Sequence, residues 1–298
     1  MPELPDVAVY VECLARRIVG TRLEALRIHN PFLVRSFDPP ISVAAGRKVE
    51  VVRRLGKRIV IDLEAELHLV LHLMIAGRLR WVERGSKIPG KVGLAAFDFE
   101  RGTLIFTEAG TRRRASLHLV RGADGKAAHE RGGLEVLEAG LAEFAAVLAR
   151  GNHTLKRALT DPTAFSGIGN AYSDEILHRA RLSPLVWTSR LSSEEIERLF
   201  RATRDVLNEW TERLRAEVGD GFPGKVTAFR AGMAVHGRFK QPCPVCGSAV
   251  QRIVHAENEC NYCARCQTGG KLLADRALSR LLRQDWPRTI DEWEERQR

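Results

Sequence analysis

Long apolar runs are missing from this chain of 298 residues. No stretch approaches the roughly 18 apolar residues that a membrane-spanning helix needs, so a transmembrane protein is not expected. Internal repeats and low-complexity tracts are missing too. The first residues include several charged ones, which argues against a secretory signal peptide: Glu3, Asp6, Glu12, Arg16 and Arg17. We therefore expect a cytoplasmic globular protein, and the length predicts about two domains.

Acidic residues are in deficit. The chain has 47 lysines and arginines against 37 aspartates and glutamates, which gives a net charge of +10. This surplus favours a polyanionic partner, and nucleic acid more than a membrane surface. Charge alone does not separate that interpretation from a merely basic surface.

Cysteine is scarce over most of the chain and crowded near one end. Five of the six cysteines lie within CPVCGSAVQRIVHAENECNYCARC. Cys243 with Cys246, and Cys263 with Cys266, form two CxxC pairs that are typical of a zinc ribbon with a tetrahedral structural site. A disulfide is a poor alternative in a cytosolic chain. We predict one structural Zn²⁺ held by these four thiolates, while Cys260, which makes another CxxC with Cys263, stays an alternative ligand.

The first half of the chain predicts β-structure. After an opening helix, VAVYVECLARRIVG, which we expect to end at Gly20 and to bury Cys13, apolar and polar residues alternate from Lys57 onward. The segment LAAFDFERGTLIFTEAG reads as two short strands around a turn at 100–102. Regular short strands predict a sandwich or barrel. Two apolar sets are expected on one face: Ile59, Ile61 and Leu63, then Leu67, Leu69, Leu71 and Leu73.

The second half predicts helices, after an expected linker over residues 121–133. A capping box from Ser192 to Glu195 opens a long amphipathic helix that closes near Gly219. Before it, a short helix at 155–159 leads through a glycine-rich turn at 167–170 into a further helix. Such a turn presents backbone amides to an anion such as phosphate, although most turns of this kind are only structural.

Taken in order, four features resemble the formamidopyrimidine-DNA glycosylase/endonuclease VIII family. They are the MPELP start, Lys57 in a β segment, KRALTD followed by GIGNAYSDE, and the terminal zinc ribbon. The resemblance extends to about Gly270. It implies an α+β multidomain fold: an N-terminal catalytic β-sandwich with flanking helices (1–125), a helical helix-two-turn-helix domain (126–237), a zinc-ribbon hairpin (238–270) and a C-terminal helical extension (271–298).

The resemblance also assigns a repair chemistry to Pro2, Glu3 and Lys57. Removal of Met1 would leave Pro2 with a terminal amine, and an α-amine has a pKa near 8, against about 10.4 for lysine. In the family this amine attacks C1′ of a flipped, damaged nucleotide, releases the base through a Schiff base and cleaves the strand by β,δ-elimination. Glu3 would supply protons, and Lys57 would hold phosphate and assist at the sugar.

Seven further residues are expected to bind DNA by the same resemblance: Lys156, Asn170, His72, Ile75, Arg112, Arg113 and Asn258. The expected partner is damaged double-stranded DNA, with single-stranded or abasic DNA as alternatives, and the expected state is a monomer. The alternative functions are a specialised abasic-site lyase with little base excision and a non-catalytic nucleic-acid-binding module.

The chain departs from the family pattern at several positions. Asp6 stands where glutamate is usual, and Ile75 fills the slot of a methionine that plugs the vacated base position. No aromatic wedge follows the arginines at 112–114. Asn258 replaces an arginine that clamps phosphates near the hairpin tip, and Arg252, His255 and Arg265 are the candidates to substitute for it. A tail face is expected to pack on the helical domain or on a partner: Leu272, Leu273, Ala277, Leu278, Leu281 and Leu282.

Overall fold

The structure is a computed structural model that describes residues 1–110, 112–224, 226–255, 258–273 and 286–296. Two compact units make up the chain. Residues 1–131 and 210–227 form the first unit, and residues 132–209 form the second together with the chain from 228 onward. None of the described helices is long and apolar enough to cross a lipid bilayer.

The first unit contains two four-stranded antiparallel sheets. Their strand orders are β1-β6-β7-β5 and β2-β3-β4-β8. The elements in chain order are α1 (Leu4–Ile18), β1 (Leu23–Ile28), β2 (Val49–Leu55), β3 (Arg58–Leu63), β4 (Leu67–His72), β5 (Gly77–Val82), β6 (Gly93–Phe99), β7 (Gly102–Glu108), β8 (Ser116–Arg121) and α2 (Gly122–Ala127).

Alternate residues of β3 and β4 enter the core of this unit, as predicted. The core also takes Tyr10 and Leu14 from α1 and Phe97 and Phe106 from the other sheet. The other face of these strands is also largely buried, as at Val60 and Val70, but it carries the polar residues of both strands, which made the period of two readable in the sequence. Every member of the predicted sets is at most 1% exposed: Ile59, Ile61, Leu63, Leu67, Leu69, Leu71 and Leu73.

Helix α1 ends at Ile18, two residues before the expected end. Gly20 then adopts a φ of +83°, in the left-handed region that glycine reaches without strain. Cys13 is fully buried and packs with Val9 and Leu214, so its interpretation as a small hydrophobe is confirmed.

The second unit is helical and ends in a small hairpin. Its elements are α3 (Leu141–Ala149), α4 (Leu155–Thr160), α5 (Asn170–Arg179), α6 (Ser193–Val218), β9 (Gln251–His255), β10 (Asn258–Tyr262), α7 (Ala264–Thr268) and α8 (Ile290–Glu295). The last part of α6, from Trp210, belongs to the first unit. The predicted capping box is confirmed, because the backbone N–H of Glu195 donates to Ser192 Oγ (3.2 Å) and that of Ser192 donates to Glu195 Oε2 (3.0 Å).

The expected linker differs from the prediction, and only part of the tail is described. The stretch expected as a plain linker contains α2, which packs against β8 and β4; six residues are too few to show a helical period. In the tail, Leu272 is buried with Tyr262 and Ile290, and Leu273 is partly buried against this cluster. The other expected members of the apolar face, Ala277, Leu278, Leu281 and Leu282, lie outside the described residues.

Candidate functional site

The N-terminal stretch is tightly held at the start of α1. Pro2 is buried, and Glu3 and Asp6 are only 2% and 4% exposed. Glu3 is the N-cap, and its backbone N–H donates to Asp6 Oδ2 at 2.9 Å while its own carboxylate accepts from the backbone of Asp6. This reciprocal capping box fixes the first turn. The shorter Asp6, noted as a departure from the family, therefore has a local structural role.

The surroundings of the terminal amine lower its proton affinity. Burial lowers the pKa of the Met1 amine below its usual value of 8.0, and the cations Arg78 and Lys57 lower it further, while Glu3 and Asp6 oppose the shift. A neutral amine is the nucleophilic form. The structure thus brings Pro2, Glu3 and Lys57 into one neighbourhood.

Sequence reasoning missed Arg78, which shares this neighbourhood. Its guanidinium is anchored by three backbone carbonyls, those of Val226 (2.6 Å), Ile75 (3.1 Å) and Gly77 (2.7 Å). The only signal in the sequence was its place directly after Gly77, in GRLR. Through this side chain, the turn between β4 and β5 places a positive charge close enough to the terminal amine to disfavour its ammonium form.

The turn between β4 and β5 carries His72 and Ile75. His72 ends β4, and burial lowers its pKa to about 4, with Arg58 and Lys57 adding to the effect, so its ring is neutral at pH 7. Met74 has a φ of +53°, in the region that favours glycine. Ile75 is 60% exposed at the tip, which leaves an apolar side chain open to solvent.

The arginine segment after β7 is exposed at Arg112 and Arg113. Arg113 Nη2 donates to the carbonyl of Lys91 at 2.6 Å. The end of the segment is held from inside by Glu108, whose carboxylate accepts the backbone N–H of Arg114 (3.0 Å) and of Ala115 (3.1 Å). Ala115, which follows the arginines at 112–114, is buried.

Lys156 lies in a buried network of the second unit. Its Nζ donates to the carbonyl of Asn170 (2.7 Å), to Ser173 Oγ (2.8 Å) and to Asp174 Oδ1 (2.5 Å). These three acceptors match the three donors of an ammonium group. In this arrangement Lys156 positions the start of α5. Its expected contact with DNA stays a prediction.

We expect Lys156→Met to lower the free energy of unfolding by about 3 kcal/mol, because it leaves the fully buried Asp174 carboxylate without its cation. Urea unfolding of the zinc-loaded protein would measure the loss. The exposed Lys271→Met, in the same unit, is the matched control and should change stability little. Equal stability of both variants would contradict this role.

Asn170 begins α5 after the N-cap Gly169. Its Nδ2 donates to the carbonyl of Glu259 in β10 at 2.8 Å, so the side chain joins the helix start to the terminal hairpin. Asn258 begins β10 opposite His255, at the turn end of that hairpin.

Two buried carboxylates of α5 were also missed. Asp174 Oδ2 accepts from His236 Nδ1 (2.7 Å) and from the backbone N–H of Asn261 (3.1 Å). Glu175 accepts three successive backbone N–H groups, from residues 234–236, at 2.6 to 2.9 Å. Burial raises the pKa of Glu175, and the three N–H groups oppose the rise. The two acids fasten α5 to the segment that leads into the hairpin.

Four cysteines form the candidate metal centre. The Sγ atoms of Cys243, Cys246, Cys263 and Cys266 all lie within 4.8 Å of one another, as a tetrahedral zinc site requires. Burial disfavours the thiolate of Cys246, but hydrogen bonds from Ser248 and the neighbouring thiols outweigh it and lower the pKa to about 7.

Cys260 is not a member of that group. It lies in β10 opposite Ile253, and burial together with the charge of Asp174 raises the pKa of its thiol. His178 lies outside the cluster, and its Nε2 contacts Cys243 Sγ at 3.3 Å, which helps to position this ligand. The ambiguity left by the sequence is resolved in favour of the predicted four.

Comparison with known proteins gives matches along most of the chain. Residues 1–116 match the formamidopyrimidine-DNA glycosylase N-terminal domain, residues 135–218 its H2TH domain, and residues 240–269 a zinc finger found in FPG and IleRS. The last match and the cysteine cluster confirm a single structural zinc.

Individual relatives agree. A formamidopyrimidine-DNA glycosylase of Solibacter usitatus is 33% identical over 271 residues, covering 90% of this chain and 99% of the relative. The one from Thermus thermophilus is 34% identical over 281 residues, covering 91% and 100%.

Solved structures show the same fold. The crystal structure of the MutM (Fpg) protein from Thermus thermophilus has a TM-score of 0.74 at 33% identity, covering 89% of this chain and 98% of that one. A Lactococcus lactis Fpg in complex with DNA containing an abasic site has a TM-score of 0.77 at 22% identity, covering 89% and 99%, and shows the fold alone. The predicted β-sheet, helix-two-turn-helix and zinc-hairpin architecture is confirmed, and the chain belongs to the formamidopyrimidine-DNA glycosylase/endonuclease VIII family.

Proposed function

We propose that this protein is a DNA repair glycosylase with abasic-site lyase activity, and that Pro2 supplies its nucleophile. The observation that carries the proposal is the N-terminal neighbourhood: Pro2 is buried at the start of α1 beside Glu3, and the pKa of the Met1 amine attached to it is lowered by burial and by the cations Arg78 and Lys57. The names of the relatives above point to the same chemistry. The substrate is damaged DNA, in keeping with the net charge of +10.

In the proposed reaction the Pro2 nitrogen attacks C1′ of a flipped nucleotide. The bond from C1′ to the base breaks, and the Pro2 N–H proton leaves with the base; the C1′–O4′ bond then opens, which leaves an iminium between Pro2 and the ring-opened sugar. Glu3 donates a proton to the sugar ring oxygen and shuttles protons in later steps. The iminium makes the C2′ protons acidic, so loss of one expels the 3′ phosphate (β-elimination), and a second elimination expels the 5′ phosphate. Lys57 holds a phosphate and assists at the sugar.

The proposed DNA-binding set is the one expected from the family resemblance: His72, Ile75, Arg112, Arg113, Lys156, Asn170 and Asn258. The exposed Ile75 supports a role as an apolar plug in the vacated base position. For Lys156 and Asn170 we propose positioning of α5 and the hairpin as their contribution to binding, since their polar groups have partners within the protein.

The rest of the proposal concerns organisation. Domains at 1–125, 126–237 and 238–270, with an extension at 271–298, accord with the segments that match the family. The protein acts as a monomer in the cytoplasm, associated with the nucleoid when bound to DNA. Zinc is structural and takes no part in the reaction.

We expect Glu3→Gln to slow release of a damaged base by a factor of about 10² to 10⁴, the usual contribution of general acid–base catalysis. Single-turnover assays on an oxidised-base duplex would measure it. The exposed Glu24→Gln in β1 is the matched control, with unchanged turnover. A Glu3→Gln enzyme as fast as wild type would remove Glu3 from the proposed chemistry.

A second candidate is an abasic-site lyase with little base excision. The observation that favours it is the lack of an aromatic wedge after the arginines at 112–114. A panel of duplexes and single strands carrying oxidised bases or abasic sites separates the two. Cleavage of abasic DNA alone would support the second candidate, and release of a modified base would support the first.

A further inference from the structure

Polar residues gather on one face of the sheet β2-β3-β4-β8, opposite the core. Arg58 in β3 lies directly across from His72 in β4, and His72 lies across from Ser116 in β8. His118 is two residues further along β8 and shares this face, because side chains of a strand alternate. His129, which follows α2, packs against the His118 ring in a tilted arrangement, with ring centroids 4.5 Å apart and an interplanar angle of 58°.

Arg58 completes this group, which we call the histidine cluster (Arg58, His72, His118 and His129). Its Nη1 donates to the carbonyl of His129 at 3.1 Å. All four side chains belong to partly exposed residues, so a ligand in solvent has access to them. The cluster lies wholly within the first unit.

The charges that act on the cluster are positive. Burial lowers the pKa of His118 to about 4, and His129, Arg58 and Arg35 lower it further. Burial also lowers the pKa of His129, with Arg58 and Arg131 adding to the effect. At neutral pH these rings stay uncharged, because burial and the neighbouring cations both disfavour the imidazolium form.

Acidic groups near this face are engaged or lie at its rim. Asp62 lies in β3 on the same face as Arg58. It contacts Arg53 of β2 and His68 Nδ1, the latter at 2.5 Å. Helix α2 adds Asp124 together with Lys126, and the segment after it adds the exposed Glu130 beside Arg131. The centre of the cluster thus offers cationic and protonatable donors to an anion.

We propose that Arg58, His118 and His129 form a DNA phosphate-binding site on the sandwich, and that phosphate binding there is coupled to uptake of one proton from solvent by a histidine. This inference rests on the proposed function, since it takes DNA as the ligand. The site adds residues that the family pattern did not supply. It would extend the DNA-binding surface expected at His72 and Lys57. A bound phosphate supplies a counter-charge and stabilises the imidazolium form.

The direction of the pH dependence of DNA affinity follows from the charge of the histidine in the DNA-free protein. A histidine that is neutral when free and charged when bound makes binding stronger as the pH falls. If phosphate returns the pKa of one ring from about 4 to about 7, affinity rises about tenfold between pH 8 and pH 6.

The test compares the zinc-loaded protein with the double variant His118→Gln/His129→Gln. Fluorescence anisotropy with a duplex containing a tetrahydrofuran abasic analogue, at constant ionic strength, gives affinities from pH 6 to pH 8. The ratio of wild-type to variant affinity is expected to rise about tenfold towards pH 6, whereas His29→Gln, at an exposed histidine after β1, should give a constant ratio. A ratio that does not change with pH for the double variant overturns the proposal.

A second variant distinguishes loss of the phosphate site from misfolding of the double variant. His118→Lys carries a fixed charge and should raise the affinity at pH 8 towards the wild-type value at pH 6; no gain at pH 8 in a variant with a wild-type thermal unfolding midpoint also overturns the proposal. Failure of the proposed function is seen separately, as the absence of a borohydride-trapped adduct from the wild-type protein at every pH.

Discussion

Borohydride will link the protein to an abasic-site duplex when Met1 has been removed, and will give on the order of 10³-fold less adduct when Met1 is retained. With Met1 in place, the Pro2 nitrogen is an amide without a nucleophilic lone pair, and the free amine lies one residue away, about 3.8 Å along the backbone. Glu3 and Lys57 then face the wrong atom.

The comparison can be made with one sequence. Protein produced with and without inhibition of methionine removal differs only at Met1, so folding and zinc content serve as internal controls. Digestion of the adduct followed by mass spectrometry should assign the sugar to the peptide that begins at Pro2. Equal adduct from both forms, or an adduct mapped to Lys57, would refute Pro2 as the nucleophile, and Pro2→Gly would then be expected to retain full strand cleavage.

Cys246→Ala should abolish zinc binding and weaken binding of abasic DNA by about 100-fold, whereas Cys260→Ala should do neither. A structural zinc contributes roughly 10–16 kcal/mol to small zinc domains. Strands β9 and β10 have five residues each, and an isolated two-stranded hairpin is marginal in water. Without the metal, the backbone carbonyl of Glu259 and the residue at 258 lose their fixed positions.

The pair of variants is a sharp contrast because the two thiols differ in burial. Cys246 is exposed, so its loss costs little packing, while the thiol of Cys260 is buried. Packing alone would therefore make Cys260→Ala the more harmful change, and ligation makes Cys246→Ala the more harmful one. Native mass spectrometry counts the zinc, and anisotropy measures the DNA affinity; loss of zinc from Cys260→Ala would reverse the assignment.

Features that depend on neighbours in sequence were predictable. The alternation from Ile59 to Leu73 is local, because one face of the strands takes only apolar residues. The spacing of the two CxxC pairs likewise predicts a zinc site. The terminal residues of the site also stand together in the sequence, so only their burial and the capping role of Asp6 had to come from the structure.

Features that depend on distant partners were not predictable. Asp174 contacts His236 and the backbone of Asn261, which are more than 60 residues away in the sequence. No periodic pattern in the sequence predicts such a contact. The donors of Lys156 are satisfied by α5, which no spacing rule reveals. The histidine cluster needs the register of three strands before His118 and His72 can be placed on one face.

The composition of the first unit from two separate stretches has a consequence during synthesis on the ribosome. Helix α1 buries Val9 and Cys13 against Leu214, and Glu12 binds Arg215 at 2.6 Å. These partners emerge about 200 residues after the N-terminus, well behind the sheets, although folding of a nascent chain usually starts from that end. The face of α1 that carries Val9 and Cys13 is therefore covered only late, although Tyr10 and Leu14 of the same helix can pack on the sheets before the end of α6 has emerged. Completion of the first unit thus waits for the end of α6.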